Sequence, residues 1–230
     1  MRRVIYFFSG LVLSLFFLSV GSLSAQSNVY PGTDTAYTKM ISSRSKKIVD
    51  KLDISDPALA SRVQEMVAKQ YFDLNVVYTA RNKDLKALKS MSSLDKAAKA
   101  KEQMAIENRV DAAVQTLHYA FIAELKTYLL PKQVDGVKDG MTYSVLEVTY
   151  HSYMEMLPNL STEQKNQMMT WLLEAREHAM DAGSSEKKHA WFGKYKGRIN
   201  NYLAKSGIDM KQAEKDWMTR MKEGKNKKVQ

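Results

Sequence analysis

Along most of this chain apolar residues recur at three- and four-residue intervals, the period of a helix buried along one face, and short turn signals separate the runs. Between Asp34 and Leu52 the stripe is Tyr37, Met40, Ile41, Ile48, Val49 and Leu52. Ser55-Asp56-Pro57 then supplies a capping residue and a proline just inside a second helix, which Leu59, Val63, Met66, Val67, Leu74, Val77 and Leu88 carry toward Ser90. Ser92 and Asp95 form a capping pair, and a helix from about Leu94 to Leu129 follows with Val110, Val114, Leu117, Phe121 and Leu125 on its core face. Pro131 opens a short helix that Gly140 ends. Ser161 to Gln164 is a capping box for the helix of Met168, Trp171 and Leu172. Ser184 or Ser185 can cap the next, which stops at Gly207, and Asp209 with Gln212 opens a last one packing Met210, Ala213 and Trp217.

One stretch departs from this pattern. Residues 141–151, MTYSVLEVTYH, are β-branched and aromatic with rough alternation. A lone strand has nothing to pair with, so an irregular extended segment is expected there. The expected fold is all-α: a single compact domain of about seven or eight helices over residues 34–221, with that segment near 141–151 and a basic tail at 222–230.

The amino terminus is patterned differently. Arg2 and Arg3 precede the apolar run Val4 to Leu18 and the small-residue end Gly21-Ser22-Leu23-Ser24-Ala25, which reads as a signal peptide (1–25) ahead of a flexible mature terminus (26–33). Cleavage would leave no integral membrane span. The chain has no cysteine, which excludes a lipidated cysteine, disulfides, thiol catalysis and cysteine metal sites. A periplasmic or secreted protein is expected.

The net charge is +10, and it stays strongly positive after loss of Arg2 and Arg3. Export makes nucleic acid an unsuitable partner; acidic polysaccharide or the anionic envelope fits charge and compartment, and solubility alone explains the charge equally well. Lys83, Lys86, Lys89, Lys96, Lys99 and Lys101 surround the tip of the long hairpin. That tip could dock a protein partner, although a solvated charged face is the commoner meaning of such a run.

Chemically distinctive residues concentrate between Glu174 and Leu203. Glu174, His178 and Asp181 follow i, i+4, i+7 spacing and share a helical face. They could offer oxygen and imidazole ligands to a metal, with His189 across the corner, but the spacing matches no tight zinc signature and no metal is assigned. Glu174, Asp181 and His189 are the candidates for acid-base catalysis. Glycoside cleavage needs two carboxyl groups about 5 to 10 Å apart, a separation that sequence does not fix, so enzymatic activity stays open. Sugar binding asks for less: an aromatic face and a few polar partners. Trp191 and Tyr195 offer the first, and Lys194, Arg198, Asn200 and Asn201 the second. Gly193 and Gly197 each cost a helix about 1 kcal/mol relative to alanine, so close approach of another helix or a ligand is expected over them. Gly183 is expected to end its helix in the left-handed conformation. His118, beside Leu117 and Phe121, reads as a satisfied core or boundary histidine. Nothing calls for a cofactor.

The segments AYTKMISSRSKKIVDKL (36–52), QYFDLN (70–75), VKDGMTY (137–143) and EAREHAMDAGSSEKKHAWFGKYKGRINNYL (174–203) resemble a family of secreted proteins from polysaccharide-degrading Gram-negative bacteria. That family is a domain of unknown function carrying a sugar-binding label, and the resemblance runs from about Asp34 to Trp217. It implies a periplasmic or surface role near glycan uptake and carries over no catalytic residue. The resulting expectation is an exported accessory protein that binds glycan, acidic oligosaccharide included. The alternatives are a glycan-cleaving hydrolase or lyase, and a helical protein-partner module of an envelope assembly.

Overall fold

In the computed structural model, residues 35–227 are described, with side chains to residue 223; the expected signal peptide and mature terminus lie outside the described residues. Two long helices, α2 (Pro57–Ser90) and α3 (Lys96–Tyr128), form an antiparallel hairpin. At 1.5 Å per residue each extends about 50 Å. Both begin at the expected acids: Ala58 N donates to Asp56 Oδ1 at 2.9 Å, and Ala98 N donates to Asp95 Oδ1 at 2.7 Å. The helix α1 (Thr35–Val49) packs on α2 and on α4 (Pro131–Met141), and the buried side chains of this half include Ile41, Val63, Val67, Leu125, Val137 and Met141.

The second half is built on another antiparallel pair, α6 (Thr162–Met180) and α7 (Ser185–Lys205), covered by α5 (Val145–Met156) and α8 (Met210–Lys227). Its core is Leu146, Met168, Leu172, Phe192, Ile199 and Leu203. Ser161 and Gln164 close the expected capping box at the start of α6, and Ser184 Oγ accepts from Lys187 N at 3.2 Å at the start of α7. The α4 and α6 helices join the halves, so the last turn of α6 lies where the two cores meet.

The all-α expectation holds with eight helices and no strand among the described residues, and four local readings change. The extended segment at 141–151 is replaced by a tight turn at 142–144 and by α5. Its β-branched residues sit on a helical stripe, because Leu146, Thr149 and Tyr153 are the buried positions. With no second strand to satisfy the backbone, only intrahelical bonds could do so. The tail expected from 222 continues α8 as far as Lys227. Gly183 is not left-handed, a role found at Gly207 with φ 87°. A Cβ at Gly183 would lie 2.6 Å from the Tyr78 ring, so what this glycine permits is close approach of α2. By contrast nothing lies within 4 Å of a Cβ at Gly193 or Gly197, so no helix packs over them. None of the described helices is long and apolar enough to cross a membrane.

Candidate functional site

Polar groups that a helical core would normally exclude collect at the junction of the two halves. Asp181 caps the carboxyl end of α6 and is buried at 5% exposure. Its Oδ2 accepts from His118 Nδ1 at 2.6 Å, its Oδ1 from Gln70 Nε2 at 3.1 Å, and its backbone carbonyl from the Tyr78 hydroxyl at 3.0 Å. An ionised carboxylate can only accept, so Nδ1 carries hydrogen and Nε2 is the nitrogen left to titrate. His118 Nε2 lies 3.7 Å from Glu177 Oε2, and Lys138 Nζ donates to Glu177 at 2.8 and 2.9 Å. The bond to Asp181 raises the His118 pKa above the ordinary histidine value, against a smaller opposing effect of burial.

Beside this network, the buried Arg176 guanidinium donates to Asp139 Oδ1 at 2.9 Å and to Asp135 Oδ1 at 2.6 Å. The buried Lys188 amine donates to the carbonyls of Ala179, at 3.1 Å, and Met180, and so closes the end of α6 with the first turn of α7.

One cleft, of about 640 Å³, opens onto His118, Glu177, His178, Asp181 and Trp191, with Tyr78, Asp111, Gln115 and Tyr119 across from α6 on α2 and α3. Trp191 is half-buried and stacks on His178 with ring centroids 4.4 Å apart and planes at 16°. Among the described residues that line the cleft, three are carboxylates and none is lysine or arginine. Asp181 is compensated by His118 and Glu177 by Lys138, whereas Asp111 forms no ion pair among the described residues.

The residues expected to bind ligand do not converge. Trp191 faces this cleft. Tyr195 is buried in the core of the second half, at 5% exposure. Asn200 accepts from the Tyr153 hydroxyl at 2.5 Å on the α5 side. Lys194, Arg198 and Asn201 lie along a separate shallow groove with Trp171, whose ring the Arg198 guanidinium covers at 4.5 Å, and the Lys194 amine also reaches over the Trp191 ring at 4.9 Å from its centroid. Of the catalytic candidates, only Asp181 is in the cleft. Glu174 is exposed and 3.6 Å from Arg198, while His189 stacks on Tyr143 at 5.7 Å and bonds through Nδ1 to Ser185 O at 2.8 Å. Glu174, His178 and Asp181 therefore turn to different partners, and among the described residues no three His, Asp or Glu side chains are placed to hold a metal ion.

His118, Gln70, Tyr78 and Glu177 are the site residues that sequence reasoning missed. Asp111, Gln115 and His118 repeat on α3 the same i, i+4, i+7 spacing that singled out the α6 triplet, and that polar stripe was the available signal. No curated protein matches this chain. The family model described as a protein of unknown function, DUF3826, matches residues 38–223, from the first turn of α1 into α8, and the chain belongs to that family.

Proposed function

We propose that this chain is an exported accessory protein that binds a glycan in the Trp191–His118 cleft. The observation that carries the reading is the Trp191–His178 stack at 4.4 Å in one cleft with the His118–Asp181 pair at 2.6 Å. The part of the Trp191 ring left exposed by its contacts with His178 and Lys194 offers an apolar surface to a sugar ring, and His118, Gln115, Asp111 and Glu177 offer partners to its hydroxyls. A lining with carboxylates and no lysine or arginine favours a neutral or amino-bearing sugar over an acidic one.

The His118–Asp181 pair favours a second reading, glycan cleavage. A buried carboxylate that fixes the tautomer of a cleft-facing imidazole is the arrangement of an oriented general base. One experiment separates the two: protein incubated with neutral, amino-bearing and acidic oligosaccharides while melting temperature and product formation are followed together. Ligand at 100 times its Kd adds about 2.7 kcal/mol, a rise of roughly 5 to 10 °C for a domain of this size. A rise that Trp191→Ala abolishes, without products, supports binding. Products that vanish in His118→Asn make the protein an enzyme. Silence in both channels defeats both readings and turns attention to a protein partner at the lysine-rich hairpin tip, tested by charge reversal at Lys86 and Lys96.

A further inference from the structure

On another side of the molecule, α1 and the α4–α5 turn enclose a groove of about 600 Å³ whose lining differs from that of the cleft. Arg44 and Lys47 line it from α1 at i and i+3, and Lys51 extends this row of cations from the turn that follows the helix. None of the three is in an ion pair among the described residues. The groove also contains two carboxylates. Asp139 is already bound to Arg176 at 2.9 Å, which leaves Glu147 as the one carboxylate of the lining without an ion pair among the described residues. The groove is therefore cationic, whereas the cleft lining has carboxylates and no lysine or arginine.

The turn that faces this row is held in an unusual backbone. Tyr143 and Ser144 are consecutive non-glycine residues with φ 59° and 54°, a region that a bulky side chain such as tyrosine seldom occupies. Ser144 N donates to Asp139 O at 2.8 Å, and the Asp139 side chain is anchored in turn by the buried Arg176. A Cβ at Gly140 would lie 2.8 Å from Ile48, so only glycine lets α4 lie this close to α1. The turn holds the Tyr143 ring at 39% exposure, between the Arg44 guanidinium at 5.8 Å and the stacked imidazole of His189 at 5.7 Å. Backbone strain maintained by a buried ion pair and aimed at an exposed ring is expected of a binding surface more than of a simple connection.

We propose that this groove is a second glycan site, one that takes an oligosaccharide carrying repeated anionic groups. The exposed part of the Tyr143 ring, flanked by Arg44 and His189, supplies an apolar contact for a sugar unit, and Arg44, Lys47 and Lys51 supply charge at intervals along a chain. Uronate carboxylates and sulfate esters share this chemistry, and the test distinguishes them. Protein purified after expression of the full chain is titrated calorimetrically at physiological salt with an oligogalacturonate, a carrageenan-derived oligosaccharide that carries sulfate esters and no uronate, and a neutral oligomer of equal length. At least one of the two anionic ligands binds, the neutral one does not, and the anionic ligand that binds identifies the group recognised. Lys47→Glu with Lys51→Glu weakens binding by about tenfold, as loss and reversal of two exposed charge contacts requires. Tyr143→Ala also weakens it, and the lysine pair keeps the test decisive if the turn does not tolerate alanine. Lys86→Glu with Lys96→Glu, at the distant hairpin tip, leaves binding unchanged. Equal loss in the tip variant would reduce the effect to general attraction between a basic protein and a polyanion, and so overturn the site. Binding of the neutral oligomer as tightly as the anionic ones, or of none of the three, would overturn it as well.

Discussion

Lys188→Met sets two effects of known sign against each other. The wild-type amine is buried at 4% exposure, and burial brings its pKa down from 10.5 to about 8, with Arg44 adding to the shift and Asp181 opposing it. That difference means the charged form carries a penalty of about 3 kcal/mol at neutral pH, which methionine removes while filling similar space. Against this, Met180 O loses its lysine donor, at a cost of about 1 to 3 kcal/mol, while Ala179 O keeps the Ala182 amide at 3.1 Å. At pH 7 the variant should therefore lie within about 2 kcal/mol of wild type. The pH dependence is sharper. Because the folded pKa lies below the unfolded one, the unfolded chain binds more protons between about pH 8 and 10.5, and wild-type stability from this group rises through that window. Between pH 7 and 9.5 the gain is about 2 kcal/mol, and the methionine variant lacks it. Tyr78 and Tyr153, pushed up to about 12 by burial, titrate above this range and cancel in the comparison. Denaturant unfolding of both proteins at pH 7, 8 and 9.5 measures the difference. A difference that stays constant with pH, or a loss above about 4 kcal/mol at pH 7, would refute the account in which desolvation dominates at Lys188.

Asp181→Asn removes the carboxylate that raises His118, so the His118 pKa should fall in an NMR titration, and stability should drop by about 3 kcal/mol or more because a buried network loses its charge. The folded His118 pKa lies above the unfolded value, so the pair's contribution is fully present below the unfolded pKa and is lost as pH rises through the folded one; the deficit of the variant should shrink accordingly, as urea unfolding at pH 6 and pH 8.5 would show. Gly193→Ala and Gly197→Ala should each stabilise by about 1 kcal/mol, since nothing lies within 4 Å of either Cβ, and a lower melting temperature would contradict that open space. Gly140→Ala should cost about 1 to 3 kcal/mol, because its Cβ would meet the two Cγ atoms of Ile48 at 2.8 to 2.9 Å, and in a double-mutant cycle Ile48→Ala, which removes both, should cost less in the Gly140→Ala background than in wild type.

The helices were legible in the sequence because their signals are local. Pro57 after Asp56, the Ser161–Gln164 box and the break at Gly207 each act within one turn of the residue that carries them, and each marks an observed boundary. Residues 141–151 misled because β-propensity reports how a side chain fits a half-buried surface, and here a helix supplied that surface. The candidate site was less legible, since its contacts are long-range. His118 meets Asp181 across 63 positions and Gln70 meets it across 111, so neither pairing leaves a mark on local spacing. Within a single helix, spacing shows which residues share a face but not which neighbour that face will meet. Hence Glu174 and Asp181, seven residues and so almost two turns apart along α6, end on an exposed ion pair and in a buried network respectively.

The same geometry explains how one helix can serve two surfaces of opposite character. His189 and Trp191 are two positions apart on α7, which places them about 200° apart around its axis. Trp191 accordingly reaches the cleft lined by carboxylates, while His189 turns to Tyr143 beside the cationic groove. Lys188, between α7 and the end of α6, ties both orientations to the carbonyls of Ala179 and Met180. The two surfaces also share their second support. Arg176 holds Asp139 and thereby the Tyr143 turn, and the next residue, Glu177, joins Lys138 and approaches His118 at the cleft. Adjacent residues on α6 thus bond to adjacent residues on α4, one pair bracing each surface. A positively charged protein can in this way present a negatively lined cleft, because buried pairs fix which charges reach each opening, and net charge alone is silent on that distribution.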